Sequence, residues 1–303
     1  MVGQHHLREV RARGQSTTEP AMSEQRLPFV KMEGIGNDFV LIEGVAAQGL
    51  ELSALAKRLC HRPFGIGADG LLVIEPSEHA PIRMRMFNPD GTEDFCGNGL
   101  RCAARYAYER GWVNSLEFGI ETLGGRVIPV RLQLQGGAVA AIATDLPAPR
   151  FHPRDIPALA DGEVIEDYPL TVAGHTLRIY SVNTGTTHTV IFNDTLPDDA
   201  LFTQVSPRLE THPMFPERTS VLWAVVESRT AVRLRIWERG VGETLGCGSG
   251  AAAAAVLAYR AGWTEATVAV HSRGGTLQVE YCPDNGITLT GPANLHFEGH
   301  FFL

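Results

Sequence analysis

CGNGLRCAARYAYERGW, residues 96–112, and CGSGAAAAAVLAYRAGW, residues 247–263, align without a gap and share nine of seventeen positions. The shared residues are the opening Cys-Gly, a second Gly, three Ala, a Tyr and the closing Gly-Trp. The flanks keep the same register. Upstream, IRMRMF (82–87) resembles VRLRIW (232–237), and each alternates apolar residues with Arg as a strand with one buried face does. Downstream, Gly124-Gly125 answers Gly274-Gly275, and near the start of each copy GNDFVLI (36–42) lines up more loosely with GTTHTVI (185–191). The offset stays near 150 residues throughout, so the chain reads as two copies of one α+β half. Chance similarity between two alanine-rich helices would not bring matching turns and strands with it.

Within each half the pattern is strand, loop, Cys-Gly-x-Gly turn, helix. Residues 100–110 and 251–261 are rich in Ala, Leu and Arg, and Gly111 and Gly262 suit the position just past a helix end. Short strand patterns recur at 70–74, 127–132, 221–226 and 267–270. The proline-rich stretch 147–157 reads as a linker, which gives a first half over 28–146 and a second over 147–291. Residues 1–27 are polar, carry Arg8, Arg11 and Arg13, lack the apolar core of a signal peptide, and are expected to form a disordered extension. Met22 offers an alternative start.

The 303 residues are 44% hydrophobic and 20% charged, the composition of a soluble globular protein. A net charge of -8 speaks against a nucleic-acid or anionic-membrane partner, since those favour a basic face. No apolar run approaches the roughly 20 residues needed to span a bilayer. Five cysteines, an odd number without zinc-type spacing, suit a reducing cytoplasm, with at least some of them free thiols.

Two cysteines at equivalent places in a repeat suit proton transfer at carbon. Inverting a carbon requires one group to take a proton from one face and another to return it to the opposite face. Cys96 and Cys247, each opening a helix, supply such a pair. Free amides at a helix N-terminus favour a thiolate, can hold a substrate carboxylate and can stabilise charge that builds on it. Two facing thiols would share one proton, giving one base and one acid. Cys60, Cys102 and Cys282 have no repeat partner and read as structural. A lone buried Cys is usually a small hydrophobe, but the duplication favours the chemical reading.

At these residues the sequence resembles the diaminopimelate epimerases. The resemblance runs in order through KMEGIGNDFVLIEG, FGIGADGLLVIEP, MFNPDGTEDFCGNGLRCAARY, GTTHTVIF, FPERTSV, WERGVGETLGCGSGA and TGPANLHFEGHF. It implies two pseudo-symmetric α/β halves, each a mixed, mostly antiparallel sheet wrapped around a central helix, with residues 292–303 returning to the first half. It also implies a cytoplasmic homodimer that needs neither pyridoxal phosphate nor a metal. By position, Cys96 and Cys247 would be the acid/base pair, with His188 and Glu238 tuning their protonation. Asn37, Gly97, Asn98, Gly248 and Ser249 would hold the reacting amino-acid end, and Asn88, Glu238 and Arg239 the far end. Plainer readings stand beside these: a turn at Asn88 or Asn37, an exposed Glu238–Arg239 ion pair, a core histidine at 188.

Two motifs depart from the family pattern. Gly-Asn-Pro-His is replaced by Gly185-Thr186-Thr187-His188, and Glu-Arg-Thr-Asn by Glu217-Arg218-Thr219-Ser220. A hydroxyl offers less than an amide with two donors and an acceptor, so recognition of the far end should change. Three functions are therefore open: epimerisation of diaminopimelate, the same chemistry on another amino acid, and a non-catalytic anion-binding or thiol-redox role. The last leaves GNDF, NPDG and ERGxGET without a purpose.

Overall fold

The computed structural model describes residues 26–303, so most of the expected N-terminal extension lies outside the described residues. Its last two residues, Arg26 and Leu27, are not disordered. They open the strand Arg26–Gly34, and Leu27 is fully buried because its side chain points into the apolar layer beneath the sheet.

Two sets of strands carry the repeat. The first runs, in hydrogen-bonded order, Asn294–Phe302, Arg26–Gly34, Asn37–Glu43, Gly70–Glu75, Ile82–Phe87, Glu117–Thr122, Arg126–Gln135 and Ala138–Leu146. The second runs Ile165–Val172, His175–Asn183, Thr187–Phe192, Ser220–Ser228, Ala231–Glu238, Thr267–Ser272, Gly275–Cys282 and Gly286–Gly291. The pairing senses agree at every step: two antiparallel, one parallel, one antiparallel, one parallel, two antiparallel. The C-terminal strand Asn294–Phe302 fills in the first set the place that Ile165–Val172 fills in the second. The sets are also joined directly. Ala138–Leu146 pairs antiparallel with Gly286–Gly291, which makes one 18-stranded sheet.

Four α-helices pack on this frame: α1 (Leu52–Cys60), α2 (Gly97–Glu109), α3 (Asp199–Glu210) and α4 (Gly248–Arg260). Helices α2 and α4 are the cores of their halves. Each is enclosed by its own strands, in one apolar cluster around α2 and another around α4. Residues 250–258 of α4 are buried without interruption, the mark of a helix apolar on every side. Its alanine run keeps the cylinder thin enough for strands to close around it. Gly111 and Gly262 take left-handed φ of 73° and 77° just past α2 and α4, as the sequence predicts.

Helices α1 and α3 lie over the opposite face of the sheet and cover separate apolar layers. The sequence reading did not single them out. Their local signals are caps: Glu51 accepts from the amides of Ser53 and Ala54 at 3.2 and 2.7 Å, and Asp198 accepts from Leu201 N at 2.8 Å. Among the described residues no helix is long and apolar enough to cross a membrane.

The tight collar around α4 is open to test. Ala253 is fully buried. Replacing it with Leu should overpack the collar and cost about 1–3 kcal/mol, read as a lower urea midpoint at unchanged slope.

Candidate active site

Cys96 and Cys247 occupy the same structural place in the two halves. Each is the N-cap of its central helix, with nearly identical backbone angles of -136°, 122° and -134°, 117°. The amides of Asn98 and Gly99 favour a thiolate at Cys96, and that of Gly250 does so at Cys247. A Cβ at position 250 would crowd the site, 3.3 Å from the Cys247 sulfur and 3.1 Å from Leu222. The two helix N-termini meet: a Cβ at Gly248 would lie 3.9 Å from Asn98 Oδ1 of the other half. Space beside Gly97 is open.

The surroundings of the cysteines differ. The Cys96 thiol donates to Asn37 Oδ1 at 3.3 Å, and Asn98 Nδ2 donates to the same oxygen at 3.3 Å. Asn37 is itself oriented by donating Nδ2 to Asp69 Oδ2 at 2.8 Å. Asp69 is tied in turn to Arg62, which also binds Asp38, and Lys31 closes that group from the buried side. Although burial alone would raise it, hydrogen bonds and charge from Arg62 and Lys31 pull Asp38 down to about 2.

Around Cys247 lie Ser249, with its hydroxyl 3.6 Å from the sulfur, and Glu238, within hydrogen-bonding reach of the thiol. Glu238 accepts from the Thr244 hydroxyl at 2.6 Å. His188 Nε2 lies 3.0 Å from Ser249 Oγ, so its link to Cys247 runs through the serine. Its Nδ1 has no partner among the described residues. Burial, with a smaller push from the Arg239 cation, lowers His188 to about 3, which keeps the ring neutral across the ordinary pH range. Burial raises the pKa of both cysteines, and that of Cys247 is pushed further by Glu238.

The remaining expected residues fall at the rim. Asn88 caps its own turn, donating Nδ2 to Thr92 Oγ1 at 3.0 Å. Glu238 and Arg239 do not pair with each other. Arg239 donates to Glu217 O at 2.9 Å and to Thr186 Oγ1 at 3.0 Å, while its backbone amide donates to Ser220 Oγ at 3.1 Å. Thr186 and Ser220, which stand where the family pattern has Asn, therefore hold the same arginine. A polar cavity of about 340 Å³ opens beside it, lined in part by Arg150, Arg154, Asn183 and Glu217.

Sequence reasoning missed three residues that shape the site: Asp69, Thr244 and Arg101. Asp69 and Thr244 act through partners distant in sequence or across a turn, and nothing local marks them. Arg101 had a signal, because it is a charged residue where the second copy has Ala252, on the turn that opens the helix. Its side chain is fully buried and donates to Asn98 Oδ1 at 2.6 Å. Cys102 is buried inside the α2 core, Cys60 lies in the layer under α1, and Cys282 ends the strand Gly275–Cys282.

Solved structures share the architecture. A PhzF-family phenazine biosynthesis protein from Bacillus anthracis matches with a TM-score of 0.65 at 20% identity, over 92% of this chain and 99% of its own. A hydroxyproline epimerase from Agrobacterium vitis matches with a TM-score of 0.64 at 13% identity, over 93% and 94%. These likenesses show the fold, which solved proteins of differing activity share. Sequence narrows the class. The family model for diaminopimelate epimerase matches residues 29–140 and 180–296. The diaminopimelate epimerase of Moorella thermoacetica is 47% identical over 278 residues, covering 91% of this chain and 99% of the relative. That of Caldanaerobacter subterraneus is 43% identical, over 89% and 98%. The chain belongs to the diaminopimelate epimerase family.

The neutral, buried state of His188 has a measurable consequence. Its folded pKa of about 3 lies below the ordinary 6.5, so the unfolded chain binds the proton more readily. Stability supplied by this group is complete above about pH 6.5 and falls as pH drops toward 3, by up to roughly 1.4 kcal/mol per unit. Urea titrations between pH 7 and 4 should show a shallower loss in His188→Asn than in the parent protein.

Proposed function

We propose that the chain is a diaminopimelate epimerase that interconverts the LL and meso forms by moving the Cα proton between Cys96 and Cys247. The observation that carries this reading is the meeting, N-terminus to N-terminus, of two repeat-related helices capped by these cysteines. Family membership at 47% identity supports the substrate. One sulfur, as thiolate, removes the proton from one face of the carbon. The other, as thiol, delivers its proton to the opposite face, and the roles exchange in the reverse direction. Amides of Gly97, Asn98, Gly248 and Ser249 hold the carboxylate and take up the charge that builds on it when the proton leaves. Asn37 steadies the reacting end, and His188 and Glu238 tune the sulfurs. Asn88, Glu238 and Arg239 hold the far end. The reading calls for neither a metal nor pyridoxal phosphate, and its place is in the supply of lysine and cell-wall precursors.

A cytoplasmic homodimer completes the proposal. All five cysteines are unpaired, which suits a reducing compartment. The strand Asn294–Phe302 is a sheet edge with Phe297 and Phe302 half-exposed, a surface suited to a second copy.

One observation favours a second reading, the same chemistry on another amino acid. Thr186 and Ser220 spend their hydroxyls on Arg239. They then have less left for a second amino-acid head than the amides found elsewhere in the family.

Proton NMR in D2O decides between these. The reduced protein should wash out the Cα–H signal of diaminopimelate, with inversion confirmed by chiral chromatography. Exchange confined to another amino acid would favour the second reading. No exchange with any amino acid of a broad panel would refute both. Cys96→Ser and Cys247→Ser should each lower turnover by at least about a hundredfold.

A further inference from the structure

The two halves share a backbone but not a charge distribution. Where the second copy has Ala252, the first has Arg101, and where the first has Asn88, the second has Glu238. The consequence falls on the two sulfurs. Arg101 sits on the first turns of α2, wholly shielded from solvent. Its guanidinium donates to Asn98 Oδ1 at 2.6 Å, to Pro292 O at 3.2 Å and to Gly97 O at 3.5 Å, and no carboxylate pairs with it among the described residues. It is wedged between backbones. A Cβ at Gly34 would lie 3.4 Å from it, and one at Gly291 would lie 3.2 Å away. A buried guanidinium cannot shed its proton, and its charge is costly unless an anion lies near. Besides Glu33, the anion at hand is the thiolate of Cys96, which caps the same helix next to Gly97 and shares Asn37 Oδ1 with the Asn98 that Arg101 holds.

Cys247 faces the opposite sign. Glu238 reaches over from the end of the strand Ala231–Glu238 and as a carboxylate can accept a hydrogen bond from the thiol, which holds the sulfur protonated. The other groups facing the pair do not offset this. His188 is neutral and reaches Cys247 only through Ser249, Arg239 is engaged with Thr186 and Glu217, and Asp69, which lies behind Asn37 beside Cys96 and is also felt by Glu238, is paired with Arg62. Glu238 also faces Cys96, and Glu33, on the strand Arg26–Gly34 that packs against α2, faces Arg101.

We propose that Arg101 is a positioning residue for the reaction: its buried charge fixes the resting thiolate on Cys96, while Glu238 keeps the shared proton on Cys247. The proposal rests on the two-thiol reading above and adds a polarity to it. The ligand-free enzyme is poised to take a proton on the Cys96 side, and the other direction requires the proton to change sulfur first.

Alkylation tests this without turnover. The reduced, ligand-free protein is treated with limiting iodoacetamide at pH 6 to 10, and the labelling rate of each cysteine is read by peptide mass spectrometry. The midpoint of each pH profile reports ionisation and is independent of how open the sulfur is. The midpoint for Cys96 should lie below that for Cys247. In Arg101→Met it should move up, slowing Cys96 labelling at pH 7.5 by about tenfold, whereas Arg101→Lys should restore most of the rate. Glu238→Gln, which leaves Arg101 in place, should speed Cys247 labelling and serves if Arg101→Met does not fold. Equal midpoints in the parent protein, or a lower one at Cys247, would overturn the proposal. The two-thiol reading stands or falls separately on Cα–H exchange in the Cys→Ser variants.

Discussion

The molecule depends on one pairing. Ala138–Leu146 of the first strand set and Gly286–Gly291 of the second run antiparallel, with Ile142 opposite Gly291 and Leu146 opposite Ile287. A backbone ladder of this kind satisfies polar groups that would otherwise be stranded at two sheet edges. It also fixes the orientation of two half-molecules that share no covalent turn at that point. With the strands locked, the central helices α2 and α4 can only approach at their N-termini. That approach sets the two cysteine-capped helix ends against each other. The site is therefore a property of the junction, since each half alone offers one thiol at the end of a buried helix.

Duplication explains the symmetry, and divergence explains the chemistry. Both helices expose amides at their first turn, so both ends of the cleft favour negative charge. Had the copies stayed identical, the two sulfurs would have been equivalent. They are not, because one copy brings in Arg101 and the other Glu238. A similar divergence marks the rim. Thr186 and Ser220, from loops far apart in sequence, converge on Arg239 and set its direction. The guanidinium then faces a polar cavity in which Arg150 and Arg154 also take part.

Rigidity of the site comes from groups outside the chemistry. Asn37 holds its orientation because Asp69 accepts from it, and Asp69 is clamped by Arg62 within a group that includes Asp38 and buried Lys31. On the other side, Thr244 fixes Glu238. Such support determines where an amide or a carboxylate points, to within the small tolerance that proton transfer allows.

The amino-acid sequence by itself determined the duplication, the two central helices with their glycine ends, the strands beside them and the two cysteines. All of these are written locally, as a repeated motif, as 3.6-residue or two-residue periodicity, or as a residue type at a helix start. Helices α1 and α3 were less legible, because their signals are short caps rather than a repeat. Only the tertiary structure decided that the halves form a continuous sheet and that His188 reaches Cys247 through Ser249. It alone placed Arg101 and Glu238 on opposite sulfurs. Charge and hydrogen bonding between distant segments follow from distance in space, and no pattern along the chain encodes that distance before the strands have paired.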